Sequence, residues 1–327
     1  MRALMCEHFG PPEELVMRDV PSPQPGKGEI RIRIMAASVN FPDSLIIRNL
    51  YQAKPPLPFS PGSEAAGIVE AVGEGVTGFK IGDRVAAMTT WGAFAEEVVV
   101  PASHCVPVPA SMPFDIASSF TLVYGTAIHA LKQRGRLQPG ETLLVLGAGG
   151  GVGLAAVEVG KRMGARVIAA ASSEEKLTLA KAHGADEFVN YADVDLKATI
   201  KELTGGKGVD VICDPVGGAL AEPAFRSIGW DGRYLVIGFA AGDIPSIPLN
   251  LALVKGAAIV GVFWGSFLVR EPALHLANVA ELYEWYEEGA LRPSISKRFS
   301  FGESAAAIRW IMDRKALGKV VVEMASA

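Results

Sequence analysis

The chain has 327 residues and a mass of 34.5 kDa, enough for about two domains and for cores that need no disulfide or metal. Half of its residues are hydrophobic, 20% are charged and the mean hydropathy is +0.28, which excludes a disordered chain. A net charge of -4, from 31 basic and 35 acidic residues, leaves no basic excess for nucleic acid.

No apolar run approaches the roughly 18 residues of a membrane span, and the opening MRALMCEHFG lacks the apolar core of a signal peptide. Cys6, Cys105 and Cys213 are odd in number and far apart, which fits a reducing, cytoplasmic setting better than a disulfide framework.

The first third reads as β-rich. In GEIRIRIMAASV, Ile30, Ile32 and Ile34 alternate with Arg31 and Arg33, the period-2 signal of a half-buried strand. After the proline cluster KPPLPFSPG, the segments EAAGIVEAVGEGV, GDRVAAM and AFAEEVVVP read as short strands joined by turns. From about residue 112 the texture changes. ASSFTLVYGTAIHALKQRG has helical spacing, and strand, glycine turn and helix then alternate twice. VDVICD, GRYLVIGF and AAIVGVFW are continuous apolar runs suited to a parallel sheet covered on both faces. Alternating strands and helices predict a doubly wound α/β domain. The tail changes again, with two amphipathic helical segments and a last strand, GKVVVEM.

The sharpest signal is LLVLGAGGGVGLAAVEVGKRMGARVI. A buried strand runs into a glycine turn, Ala148-x-Gly150-x-x-Gly153, and a helix follows at once. Such a turn lets the backbone approach a pyrophosphate, which the N–H groups and dipole of the helix start then hold. An NAD site places an acid about 20 residues on, against the ribose 2′-hydroxyl. Here the second strand, RVIAAA, ends in Ser172, Ser173, Glu174, Glu175 and Lys176. With no acid at the strand tip, and hydroxyls and a lysine in its place, the sequence predicts NADPH.

These motifs, together with AASVNFPDSLIIRNLY, PGSEAAGIVEAVG, FKIGDRV, TLVYGTAIHAL, SSEEK and GGKGVDVICDPVGG, resemble the medium-chain dehydrogenase/reductase superfamily over nearly the whole length, and within it the zinc-independent NADPH:quinone oxidoreductases. The resemblance implies an α/β fold in which a Rossmann nucleotide domain, residues 123–264, is inserted in a β-rich GroES-like catalytic domain, residues 1–122 and 265–327. It implies a cleft between domains and commonly a homodimer. By position, Asn40 faces the nicotinamide ribose, Thr126 approaches the nicotinamide, and Gly150, Gly151 and Val152 hold the pyrophosphate. Ser172, Lys176 and Tyr191 surround the 2′-phosphate, Phe239 and Phe263 contact the cofactor, and Lys319 reaches it from the final strand. Tyr51 is the candidate proton donor or oxyanion partner.

The zinc enzymes of the superfamily carry a catalytic Cys and His. The matching positions here are Asn40 and Ser63, which are poor zinc ligands. Without a Lewis acid, the acceptor should delocalise the developing charge itself, as a quinone or an α,β-unsaturated carbonyl does. The alternatives are a zinc-free reductase of another activated double bond, of the enoyl thioester or haloacrylate type, or an RNA-binding or crystallin-like protein on a reductase scaffold.

Overall fold

Fifteen strands run through the described residues, 1–324, of this computed structural model. In chain order they are β1 Arg2–Met5, β2 Val16–Asp19, β3 Glu29–Val39, β4 Glu64–Val72, β5 Arg84–Met88, β6 Glu97–Pro101, β7 Cys105–Pro107, β8 Thr142–Leu146, β9 Arg166–Ala171, β10 Glu187–Asn190, β11 Val209–Asp214, β12 Ile228–Val236, β13 Ala258–Gly261, β14 Ile295–Ser300 and β15 Lys319–Glu323.

Contacts divide the chain into two units. Residues 1–122 and the chain from Pro293 onward form the first; Val123–Arg292 form the second. In the first unit β3 is the organising strand. It pairs antiparallel with β4, β6 and β15 in a seven-stranded sheet, six of whose strands run β14-β15-β3-β4-β5-β7 while β6 joins off this path on β3. Its alternation is as the sequence predicts. Ile30, Ile32 and Ile34 are buried, while Arg31 and Arg33 pair with Glu97 and Glu70 at 3.4 and 2.8 Å. Phe59, Phe94, Phe299 and Ile308 pack on the same core, so the returning tail completes it.

In the second unit six strands are parallel, in the order β10-β9-β8-β11-β12-β13. This is the doubly wound nucleotide-binding order, with β8 and β11 adjacent where the winding reverses. Leu143, Leu144, Val145 and Leu146 of β8 are all fully buried, as a strand covered on both faces requires.

The division falls after Arg292 and not near residue 265. The helix Pro272–Glu287 belongs to the second unit because its polar and aromatic side chains find partners there. Asn278 bonds Gln133 at 2.9 Å, Glu281 pairs with Lys132, and His275 stands edge-on to Trp264 with ring centroids 5.7 Å apart. Trp264 in turn fits over Gly125, where a Cβ would come within 2.8 Å of the indole. The amphipathic texture of this helix did not reveal which core it covers. The last three residues of the expected second catalytic segment lie outside the described residues.

Candidate cofactor and active site

In the second unit the glycine turn sits between β8 and the helix Gly151–Arg162. Gly150 is the N-cap and bonds back to the Gly147 carbonyl at 2.9 Å. Gly151 and Val152 occupy the first turn, where N–H groups have no preceding helical carbonyl to bond. At Gly153 and at Gly149 the turn has no room for a side chain. A Cβ on Gly153 would lie 2.2 Å from the Gly147 oxygen, and one on Gly149 would lie 2.5 Å from the Lys176 Cβ. The first keeps helix and strand in close contact; the second lets the lysine stem cross the turn.

That stem carries the Lys176 ammonium to Ser172, whose hydroxyl accepts at 3.1 Å. Ser173 caps the next helix, Glu174–Ala182, by accepting from the Lys176 N–H at 3.4 Å. Tyr191 follows β10, and its N–H donates to the Ala171 carbonyl at the end of β9. Ser172, Lys176 and Tyr191 therefore gather beside the glycine turn, at the carboxyl ends of parallel strands. Glu174, the nearby acid, is bound by Asn190 Nδ2 at 3.2 Å. This turn and cation fit a dinucleotide with a 2′-phosphate.

The other expected contacts of this unit are more dispersed. Phe239 follows β12 and lies against Gly217, where a Cβ would come within 2.8 Å of its ring. Phe263 follows β13 as the N-cap of the helix Trp264–Arg270 and is 59% exposed. Thr126 is buried inside the helix Thr121–Ile128.

The first unit buries a polar cluster beside β3. Asn40 follows that strand and is the N-cap of the short helix Phe41–Ile46. Its carboxamide nitrogen lies 3.1 Å from Ser38 Oγ, 3.3 Å from Ser63 Oγ and 3.0 Å from Glu64 Oε1, while its oxygen accepts from Lys319 Nζ at 2.6 Å. Lys319 also bonds Glu64 at 3.0 Å, with both side chains buried. Asp43 accepts from the Asn40 N–H at 2.7 Å. Burial pushes the Asp43 carboxyl up to about 7, against the pull of its hydrogen bonds and of Lys319. Burial, then the neighbouring Asp43, raises the Tyr51 phenol, so that it keeps its proton at neutral pH.

Asn40, Lys319 and Ser63 are thus brought together in one cluster, with Tyr51 near its Asp43 side. Glu64, Ser38 and Asp43 are members for which the sequence suggested no role. The one available signal was an acid opening the otherwise small and apolar run EAAG. Among the described residues no three His, Cys, Asp or Glu side chains are arranged as a metal site.

Two family models match the chain: the alcohol dehydrogenase GroES-like domain over residues 26–110 and the zinc-binding dehydrogenase domain over residues 151–279. The chain is 37% identical to the quinone oxidoreductase-like protein 2 of Rattus norvegicus, over 99% of this chain and 92% of the relative. Mycobacterial Rv1454c, solved in complex with NADPH, superposes with a TM-score of 0.93 at 32% identity, over 99% of this chain and 100% of that one. The Escherichia coli quinone oxidoreductase, also solved with NADPH, gives 0.92 at 26% identity over 99% and 100%.

A Rossmann sheet inserted in a GroES-like unit, with a glycine turn and a cation at its mouth, defines a nucleotide-dependent oxidoreductase fold. The chain belongs to the medium-chain dehydrogenase/reductase superfamily, in its quinone oxidoreductase group.

Proposed function

We propose that the protein is an NADPH-dependent reductase that passes a hydride, without a metal, to a quinone or an α,β-unsaturated carbonyl. The observation that carries this is the Lys176 ammonium, laid over Gly149 and bonded to Ser172 where an NAD site would place an acid. Gly150, Gly151 and Val152 would hold the pyrophosphate, and Ser172, Lys176 and Tyr191 the 2′-phosphate. Thr126, Phe239, Phe263, Asn40 and Lys319 would contact the rest of the cofactor. When bound, NADPH supplies the hydride. The chain's tasks are to orient the acceptor and to provide a proton, for which Tyr51 is the candidate. The metal-free reading is supported by an amide and a hydroxyl at Asn40 and Ser63, both tied into hydrogen bonds, with the Lys319 ammonium 2.6 Å from the Asn40 oxygen.

Purified protein should quench or shift NADPH fluorescence saturably and oxidise NADPH in the presence of a small quinone or enone. Turnover only with enoyl thioesters or haloacrylates would move the assignment to that class. Salt-sensitive RNA binding with no NADPH oxidation would replace enzyme by binding protein.

A homodimer and a cytoplasmic location belong to the same proposal. Strand β13 is an edge of the parallel sheet, and Ile259 on it is exposed together with Leu249, Leu253 and Val254 nearby in sequence and with Trp230, which packs by Gly256. An unpaired, apolar strand edge favours pairing with a second copy. Light scattering on the parent and on Ile259→Lys should give a dimer and a monomer respectively. All three cysteines are buried and unpaired, as a reducing compartment allows, and among the described residues no helix is long and apolar enough to cross a membrane.

A further inference from the structure

Glu64 binds four partners in the buried cluster. Its Oε1 accepts from Ser38 Oγ, from Asn40 Nδ2 at 3.0 Å and from Lys319 Nζ at 3.0 Å; its Oε2 accepts from the Leu122 N–H at 3.2 Å. The sheet register produces this convergence. Ser38 of β3 lies directly opposite Glu64 of β4. On the other side of β3, Val39 lies opposite Val320, so the next step sets Lys319 level with Asn40. Three neighbouring strands thus deliver one carboxylate, one carboxamide and one ammonium to the same end of the sheet.

The chemistry is asymmetric. A carboxylate only accepts, so it can bind all three donors at once. A carboxamide in its place would turn an N–H₂ toward either the Ser38, Asn40 and Lys319 donors or the Leu122 N–H. The buried ammonium would also lose its counter-charge. Asn40 depends on the same arrangement. With its nitrogen held by Glu64 and the serines, its oxygen can point only at Lys319.

We propose that Glu64 is a positioning residue for the reduction: it fixes the Asn40 carboxamide and the Lys319 ammonium in one orientation, and the nicotinamide half of the cofactor is bound and turned over through them. This rests on the reductase reading above. It predicts an effect confined to one half of the cofactor, because the 2′-phosphate half is assigned to residues of the other unit.

The test compares Glu64→Gln, Lys319→Met and the double variant with the parent, each checked for an unchanged thermal transition. Equilibrium binding is measured for NADPH and for 2′-phospho-ADP-ribose, which lacks the nicotinamide, along with kcat and KM for a small quinone. Glu64→Gln should weaken NADPH binding about fivefold or more and lower kcat about tenfold or more. Binding of 2′-phospho-ADP-ribose should stay within about twofold, and the double variant should be no worse than Lys319→Met alone. Equal loss for both ligands, or multiplying effects of the two substitutions, would overturn the proposal. Should Glu64→Gln fail to fold, Ser38→Ala removes one donor to the same carboxylate. It should reproduce the selective loss in smaller degree, again without adding to Lys319→Met; an unselective or additive effect overturns the proposal. A parent that turns over no quinone or enone with NADPH would instead overturn the reductase reading itself.

Discussion

The stem of Lys176 rests on Gly149 so closely that a single added methyl group would meet its Cβ at 2.5 Å and its Cγ at 2.7 Å. The helix that carries the cation and the glycine turn are therefore fitted to each other. If Lys176 holds the 2′-phosphate as proposed, Lys176→Ala removes a charge-assisted bond worth about 1.5–3 kcal/mol. NADPH affinity should fall roughly 10- to 100-fold, with little change for NADH. Gly149→Ala should act in the same direction by displacing the stem. Titrations of both cofactors against both variants check this; an equal loss for NADPH and NADH would remove Lys176 from the 2′-phosphate.

Gly153→Ala is a harsher change. Its Cβ would lie 2.2 Å from the Gly147 oxygen, and neither backbone can yield cheaply. Overpacking of this kind costs about 1–3 kcal/mol. The variant should unfold at lower urea and bind NADPH poorly, because the first-turn N–H groups move with the helix.

Tyr51 keeps its proton at neutral pH, held there by burial and by Asp43. Tyr51→Phe should lower kcat about 100-fold, the lower end of what a positioned general acid contributes, with a smaller change in the KM for NADPH. Unchanged turnover would eliminate it as the proton source.

Two buried groups give stability opposite pH dependences. His275 is 8% exposed, and desolvation lowers its folded value to about 4, below the ordinary 6.5. Its protonation therefore favours the unfolded chain, and stability falls as pH drops from 6.5 toward 4, by at most about 3 kcal/mol. His275→Phe should flatten this acid limb in urea unfolding measured at pH 7, 5.5 and 4.5.

Asp43 has the opposite sign. Its folded value is raised to about 7, so the stability it contributes is complete below its unfolded value near 3.8 and is lost as pH rises to 7. Asp43→Asn keeps an oxygen for the Asn40 N–H. Relative to the parent, it should gain roughly 2–4 kcal/mol between pH 4 and pH 8. A constant difference across that range would contradict the raised value.

The amino-acid sequence by itself determined the parts of the fold that depend on local pattern. Alternation in β3, continuous apolar runs in the parallel strands, and a glycine turn between strand and helix are each written in one short window, because side-chain periodicity and glycine's freedom act over a few residues. It also determined that Lys176 and Ser172, four residues apart across a helix start, stand where an acid is missing. Only the tertiary structure decided the rest. The helix Pro272–Glu287 looks alike to either core; its place was decided by Trp264 over Gly125 and by Gln133 meeting Asn278. The Asn40–Glu64–Lys319 cluster joins residues separated by as many as 279 positions. No spacing rule reaches so far, because what brings them together is strand register: β3 pairs with β4 on one side and β15 on the other, and a buried carboxylate is tolerable only where that register delivers its donors.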